Sequence, residues 1–299
     1  MILTVTGVWE ACLKITPKDA RAIAFSQRGY KGSTPLTEAE ALCTVPASKL
    51  HSTHISDFAA FIQFVAEELK VPGRSSDGKG GITTVHWSKG CAAATGLFYF
   101  QTENPLYKEL VDKYISSIVL YEPPTSAVFG LDPGECSNVL FYHQLANPPE
   151  DPGLMFLKYV SGFFRNSPEY RSNKGGNQIT EYYRTGALEP DFQNFLSKAN
   201  ESEFIPSILH WYLVDDASKR SEACHEAIVA MAKSGLKRIG IIWGAEGPPE
   251  CLEGSWLAEK WIKEVDPSKL ATKEFEGGNH YIQFYDPVGF WQSVLELSV

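Results

Sequence analysis

The segment Val85-His86-Trp87-Ser88-Lys89-Gly90-Cys91 decides the fold, because one serine joins a strand pattern to a helix pattern. β-branched residues before it are typical of a buried strand, and small residues after it let a helix pack closely. A sharp turn at Ser88 would push its hydroxyl out of the sheet, beside backbone N–H groups that favour an oxyanion. The alternative is a serine that only caps the helix.

Strand and helix patterns alternate on both sides of this segment. Strands are predicted at residues 20–26, 82–87, 114–121, 238–243 and 271–275. Ser56 is expected to cap a helix whose apolar face runs from Phe58 to Leu69, and a second helix covers residues 224–232. Asp286 is expected to cap the last helix, with Pro287 at its first position. The alternation predicts an α/β fold, a mostly parallel sheet with helices on both faces.

The alternation fails between about residues 125 and 218, where Pro, Gly and aromatic residues are frequent. We predict that residues 1–124 and 219–299 form the α/β core and that residues 125–218 form an inserted, mainly helical cap. Aromatic residues in this cap, Trp211 and Tyr212 among them, are candidate substrate contacts together with Trp87 of the core.

The composition limits the classes of partner. The chain has 299 residues, a formal charge of −9 and no basic run, so nucleic-acid binding is not expected. No segment approaches the roughly 18 apolar residues of a membrane span. Six scattered cysteines indicate free thiols, so we expect a cytoplasmic protein. We also expect a monomer or homodimer. No nucleotide-binding glycine motif occurs, and His51 and His54 have metal-like spacing without a further ligand, so neither a cofactor nor a metal is expected.

A serine nucleophile needs a base, and the base needs a carboxylate that orients it. His280 is the best-placed histidine, since the loop Gly277-Gly278-Asn279-His280 follows the last predicted strand. Two acids follow strands and would lie at the carboxyl edge of the sheet, Glu122 and Glu246. The spacing leaves the choice between them open.

Several of these motifs together resemble the α/β-hydrolase superfamily, in its capped serine hydrolase branch. Arg28-Gly29-Tyr30-Lys31-Gly32-Ser33 resembles the RGxGxS loop after that family's fourth strand. Tyr121-Glu122-Pro123-Pro124 resembles its segment after strand six, and Gly278-Asn279-His280 its histidine loop. The resemblance implies a serine esterase or lactonase with Ser88 as nucleophile, His280 as base and the Lys89 N–H as one oxyanion donor. Its substrate would be a hydrophobic, polyketide-like small molecule.

The sequence departs from the family at three positions. The usual small residue two before the nucleophile is His86 here. The family usually has its acid three residues past a glycine that follows strand seven, and that position is Gly247 here. Some relatives have the acid after strand six instead, which corresponds to Glu122. We therefore favour Glu122 over Glu246. The HG oxyanion loop and the strands before it are missing. The chain is then a short gene model, a divergent form, or a protein whose N-terminal strand at Met1–Val8 replaces the missing edge.

A non-catalytic protein that binds an apolar ligand under the cap is the alternative function. Serine as the nucleophile argues against epoxide or haloalkane hydrolysis, for which relatives use aspartate.

Overall fold

The computed structural model describes residues 2–4, 9–18, 20–26, 28, 33–41, 47–75, 79–130, 158–174, 181–185 and 217–298. Its main sheet has six parallel strands in the order β2-β1-β3-β4-β7-β8. The strands are β1 (Ile2–Thr4), β2 (Ile23–Phe25), β3 (Ile82–Trp87), β4 (Ile115–Tyr121), β5 (Gly162–Arg165), β6 (Glu181–Thr185), β7 (Arg238–Gly244) and β8 (Leu270–Phe275). Strands β5 and β6 form a separate antiparallel pair.

Helices cover both faces of the main sheet, as the alternating pattern predicted. They are α1 (Glu10–Lys14), α2 (Glu38–Ala41), α3 (Ala47–Glu67), α4 (Cys91–Phe100), α5 (Pro105–Tyr114), α6 (Thr125–Phe129), α7 (Pro168–Asn173), α8 (Ala217–Lys233), α9 (Pro249–Val265), α10 (Ile282–Tyr285) and α11 (Pro287–Ser298). None of the helices in the described ranges is long and apolar enough to cross a membrane.

Two buried clusters lie on opposite faces of the sheet, and β4 contributes to both. Ile118 and Leu120 belong to the cluster under α3, α4, α8 and α9, whereas Val119 and Tyr121 belong to the cluster under α1 and α11. Successive side chains of a strand point to opposite faces, so a strand buried on both sides carries a nearly continuous apolar run, here Ile118–Tyr121. Every residue of β4 is buried, which identifies it as a central strand.

Most predicted elements are present, but the start of one helix was predicted wrongly. Helix α3 begins at Ala47, and Ser56 lies within it, where its hydroxyl donates to the Ser52 carbonyl at 2.9 Å. A serine that bonds back to the preceding turn is compatible with a continuous helix. Asp286 does cap α11, since its carboxylate accepts the Gly289 N–H at 2.9 Å.

The N-terminal strand does not replace a missing edge of the sheet. Strand β1 lies inside it, because Ile2 pairs with Ile23 of β2 on one side and with Thr84 of β3 on the other. In the described part of the sheet, β2 and β8 are the outer strands.

The described part of the predicted cap contacts the loop after β7. The N–H of Phe164 in β5 donates to the Glu246 carbonyl at 3.0 Å. The side-chain amide of Asn166 donates to the carbonyls of Ala245 and Gly247, each at 3.0 Å. Helices α6 and α7 also belong to this region, and much of the rest, with Trp211 and Tyr212, lies outside the described residues.

A substitution at Gly254 tests how closely α9 packs on the turn after β4. A Cβ at this position would lie 1.9 Å from the Pro123 carbonyl oxygen, a backbone atom that cannot rotate away. We expect Gly254→Ala to lower the free energy of unfolding by about 1–3 kcal/mol, as overpacking does. Urea denaturation measures the change, and Lys260→Ala on the exposed side of α9 is the control. Equal stability of the two variants would contradict the close packing.

Candidate active site

Ser88 lies at the carboxyl end of β3, at a turn that few residues adopt. Its φ is +55°, and the turn Ser88–Gly90 leads directly into α4. A positive φ costs energy in a residue with a side chain and is often found at functional sites. The first residues of α4, Cys91–Ala94, are small and buried, so the helix packs close to the strand. The arrangement has the features of a nucleophile elbow.

Glu122 occupies the corresponding place on the neighbouring strand β4. Its φ is +50°, and its side chain is fully buried. The carboxylate oxygen Oε1 accepts the backbone N–H of Gly244 at 2.5 Å. The Glu122 N–H in turn donates to the Ile242 carbonyl at 2.8 Å, which ties the residue to β7. A buried carboxylate requires hydrogen-bond donors of this kind.

His280 lies next to this carboxylate. Its Nδ1 is 2.6 Å from Glu122 Oε2, and the imidazole is almost fully buried. A carboxylate at Nδ1 accepts a hydrogen bond from the Nδ1–H, so the neutral ring carries its free lone pair on Nε2. The side chain of Asn279 shapes the loop, accepting the Tyr281 N–H at 2.9 Å and donating to the Ser161 carbonyl at 3.0 Å.

The second candidate acid, Glu246, is only half-buried and lies in the loop after β7. Its backbone N–H donates to the Gly278 carbonyl at 2.8 Å. Gly247 shows why an acid is not needed in this loop. A Cβ at Gly247 would lie 2.8 Å from Glu122 Oε1, so the Glu122 carboxylate fills the space that a side chain at Gly247 would enter.

Cys251, in the first turn of α9, is a buried neighbour that the sequence did not single out. Its Sγ lies 3.6 Å from His280 Nδ1, and donor atoms of Glu122, Cys251 and His280 lie within 4.8 Å of one another. Burial, followed by the nearby Glu122 charge, raises the pKa of the Cys251 thiol well above its ordinary value. The group stays a neutral thiol beside the carboxylate. Within the described residues, Glu122, Cys251 and His280 form the candidate group of metal ligands. The imidazole and the carboxylate of this group are, however, hydrogen-bonded to each other.

His86 replaces the small residue that the resembled family has two positions before its nucleophile. Its side chain lies on the opposite face of β3 from that of Trp87. Its Nδ1 is 3.1 Å from the Gly90 carbonyl, so it connects the residues two before and two after Ser88. Its ring packs edge-on against Phe58 at 4.8 Å. Burial lowers the pKa of His86 to about 4, and its Nε2 has no hydrogen-bond partner in the described part of the chain.

Two of the remaining predicted site residues, Lys89 and Trp87, lie within the described part of the chain. Lys89 and Trp87 are half-buried beside Ser88, and the Trp87 indole lies 5.0 Å from the His280 ring between centroids. Tyr121, fully buried next to Glu122, was not predicted as a site residue. Its place immediately before a candidate acid was the available signal.

Solved structures resemble the whole chain. A bromoperoxidase from Bacillus anthracis has a TM-score of 0.59 and 15% identity over 99% of this chain and 90% of its own. Est816, an N-acyl homoserine lactone degrading enzyme, has a TM-score of 0.58 and 11% identity over 99% and 91%. Epoxide hydrolases of the α/β-hydrolase superfamily from hot-environment metagenomes give 0.51 and 19% over 100% and 89%.

These similarities confirm the predicted fold. At such low identity they show the α/β-hydrolase fold alone, with a parallel sheet flanked by helices. No protein-family model and no curated protein sequence matches the chain.

The buried His86 predicts a loss of stability in mild acid. The unfolded chain binds a proton at this histidine below its ordinary pKa of 6.5, whereas the folded chain does so only below about 4. Stability from this group is therefore complete above pH 6.5 and decreases as the pH falls toward 4, by about 3 kcal/mol in total.

We expect His86→Gln to remove this part of the pH dependence, since Gln donates to a carbonyl without titrating. Urea denaturation of both proteins across this range isolates the contribution of His86, because the other groups are shared. Parallel stability–pH curves would contradict it.

Proposed function

We propose that this chain of α/β-hydrolase fold is a serine hydrolase that cleaves an ester or lactone bond. One observation carries the proposal: His280 contacts the buried Glu122 carboxylate at 2.6 Å and is hydrogen-bonded to Trp87, the residue before the strained turn at Ser88. A nucleophile, a base and an acid that orients the base are the parts that acyl transfer needs. The hydrolases of the same fold support the reaction class.

In the proposed mechanism, His280 Nε2 accepts the proton of the Ser88 hydroxyl as the oxygen attacks the substrate carbonyl. Glu122 holds the required tautomer and stabilises the imidazolium that forms. The protonated His280 then gives its proton to the leaving alcohol oxygen. Water, activated by the same imidazole, hydrolyses the acyl-enzyme and regenerates Ser88.

The developing oxyanion would be held by backbone N–H groups. The Lys89 N–H, next to the nucleophile, is the proposed donor.

The proposed substrate is a hydrophobic ester or lactone. The half-buried aromatic side chain of Trp87, next to Ser88 in the chain, supports an apolar acyl or ring portion. Est816 is described as degrading a lactone, which agrees with this class. A serine at the elbow supports acyl transfer over epoxide opening, for which relatives use aspartate.

A fluorophosphonate probe tests the nucleophile directly. We expect intact-mass analysis to show one adduct on the wild-type protein and none on Ser88→Ala, because only an activated serine attacks the probe. Labelling of His280→Gln should be strongly slowed. Folding of each variant is checked by circular dichroism. A folded wild-type protein that is not labelled, yet binds apolar esters saturably without turnover, would establish the binding protein instead.

Parallel substitutions identify the acid. We expect Glu122→Gln to lower kcat by about 10²–10⁴-fold, because an amide no longer stabilises the imidazolium. Glu246→Gln should stay within about threefold of wild type, since the substitution keeps the backbone N–H that contacts the histidine loop. Ester hydrolysis measured with both variants decides the matter, and the reverse pattern would assign the role to Glu246.

A rescue experiment sharpens this test. A Cβ at Gly247 points into the space of the Glu122 carboxylate. In Glu122→Ala/Gly247→Asp, a new carboxylate would enter the vacated space and reach His280. We expect the kcat of the double variant to be about tenfold or more above the kcat of Glu122→Ala alone. Glu122→Ala/Gly247→Asn is the matched control and should show no recovery.

A further inference from the structure

The backbone carbonyl of His280 lies beside two side-chain donors on neighbouring strands. Trp87 Nε1 donates to it at 3.0 Å. The Tyr121 hydroxyl lies 3.1 Å from the same oxygen and 2.6 Å from Gln283 Oε1, so its one proton is shared between these two acceptors. The proposed mechanism uses neither contact. Both bonds act on the peptide unit of the residue whose imidazole must stay aligned.

The two donors have equivalent places in the sheet. Trp87 is the last residue of β3 and Tyr121 the last of β4, and the two are register partners. The residue after Trp87 is Ser88, and the residue after Tyr121 is Glu122. The donors therefore link the candidate nucleophile and the candidate acid to the candidate base through the main chain.

Further contacts fix the two donors. The Ile282 N–H donates to the Tyr121 oxygen at 2.8 Å, and the hydroxyl also lies 2.6 Å from Gln283 Oε1. Burial raises the pKa of Tyr121 well above its ordinary value, so its hydroxyl keeps its proton. The Trp87 ring lies against the His280 ring at a 36° angle.

The histidine loop needs such restraint. It contains two adjacent glycines, and Gly277 has a φ of +70° with no atom within 4 Å of an added Cβ. Glycine lets the backbone adopt this conformation but also leaves it more conformational freedom. Displacement of a catalytic group by about 1 Å is expected to cost up to about 10²-fold in rate.

We propose that Trp87 and Tyr121 are positioning residues that align His280 through its backbone carbonyl. The inference rests on the proposed function and changes the expected role of Trp87, from substrate contact to alignment of the base. Loss of either donor lets the histidine loop move, so that the imidazole turns away from Ser88 and its Nδ1–H bond to Glu122 opens more often.

The test compares Trp87→Phe and Tyr121→Phe, which both keep an aromatic ring. The first loses the indole N–H with part of the ring system, and the second loses the hydroxyl, which also accepts the Ile282 N–H. We expect each to lower kcat for an ester substrate by about tenfold, with KM within about twofold of wild type. The rate of fluorophosphonate labelling should fall by a similar factor. In ¹⁵N-histidine-labelled protein, the His280 Nδ1–H should exchange with water about tenfold faster.

Matched controls separate positioning from stability. Trp291 Nε1 donates to the Cys12 carbonyl at 2.6 Å, and the Tyr170 hydroxyl donates to Glu253 at 2.6 Å. Trp291→Phe and Tyr170→Phe lose comparable bonds away from the cleft. We expect them to lower stability and to keep kcat within about twofold of wild type.

Each alternative outcome overturns the inference in a different way. A higher KM at unchanged kcat in Trp87→Phe would make Trp87 a substrate contact. Loss of stability alone, as in the controls, would make both residues structural. A wild-type protein without labelling or turnover would refute the proposed function, and unchanged Nδ1–H exchange in the two variants would separately refute positioning.

Discussion

The register of three parallel strands is the constraint on which the candidate site depends. Tyr121 of β4 pairs with Trp87 of β3 on one side and with Ile242 of β7 on the other. The next residues, Ser88 and Glu122, leave their strands at the same level, both with positive φ. A slip of one residue in either pairing would turn every side chain of that strand to the other face and separate the two groups. Apolar residues on both faces of β4 hold the register.

A buried negative charge is the second constraint, and it explains the glycines around the site. The Glu122 carboxylate is compensated by the Gly244 N–H and by His280. A Cβ at Gly244 would lie 2.3 Å from the Gly278 carbonyl oxygen. The loops after β7 and β8 can therefore approach each other and the acid only without side chains. At this edge of the sheet, the residue after β4 supplies the carboxylate that meets His280, and Gly244 at the end of β7 supplies a backbone donor to it.

The sequence was sufficient for the parallel sheet of the core, the turn at Ser88 and the loop of His280, because these depend on local patterns of apolar and small residues. It was insufficient where the outcome depends on how separate loops meet. Glu122 and Glu246 both follow strands, and the contact of the Glu122 carboxylate with His280 Nδ1 forms only where the loops after β4, β7 and β8 come together. The start of α3 was missed because a serine can lie inside a helix as readily as at its end.

The twofold period of β3 separates the stability of the elbow from its chemistry. His86 points to the face under α3, where it meets Phe58 and bonds to Gly90. Trp87 points to the opposite face, where it meets His280. The strained turn at Ser88 is thus held from one side by a neutral histidine in the core and from the other by an indole in the cleft. Changes at His86 should act on folding and its pH dependence, whereas changes at Trp87 should act on the alignment of the base. The strand can therefore keep a costly backbone conformation at Ser88, because contacts on both of its faces hold the turn.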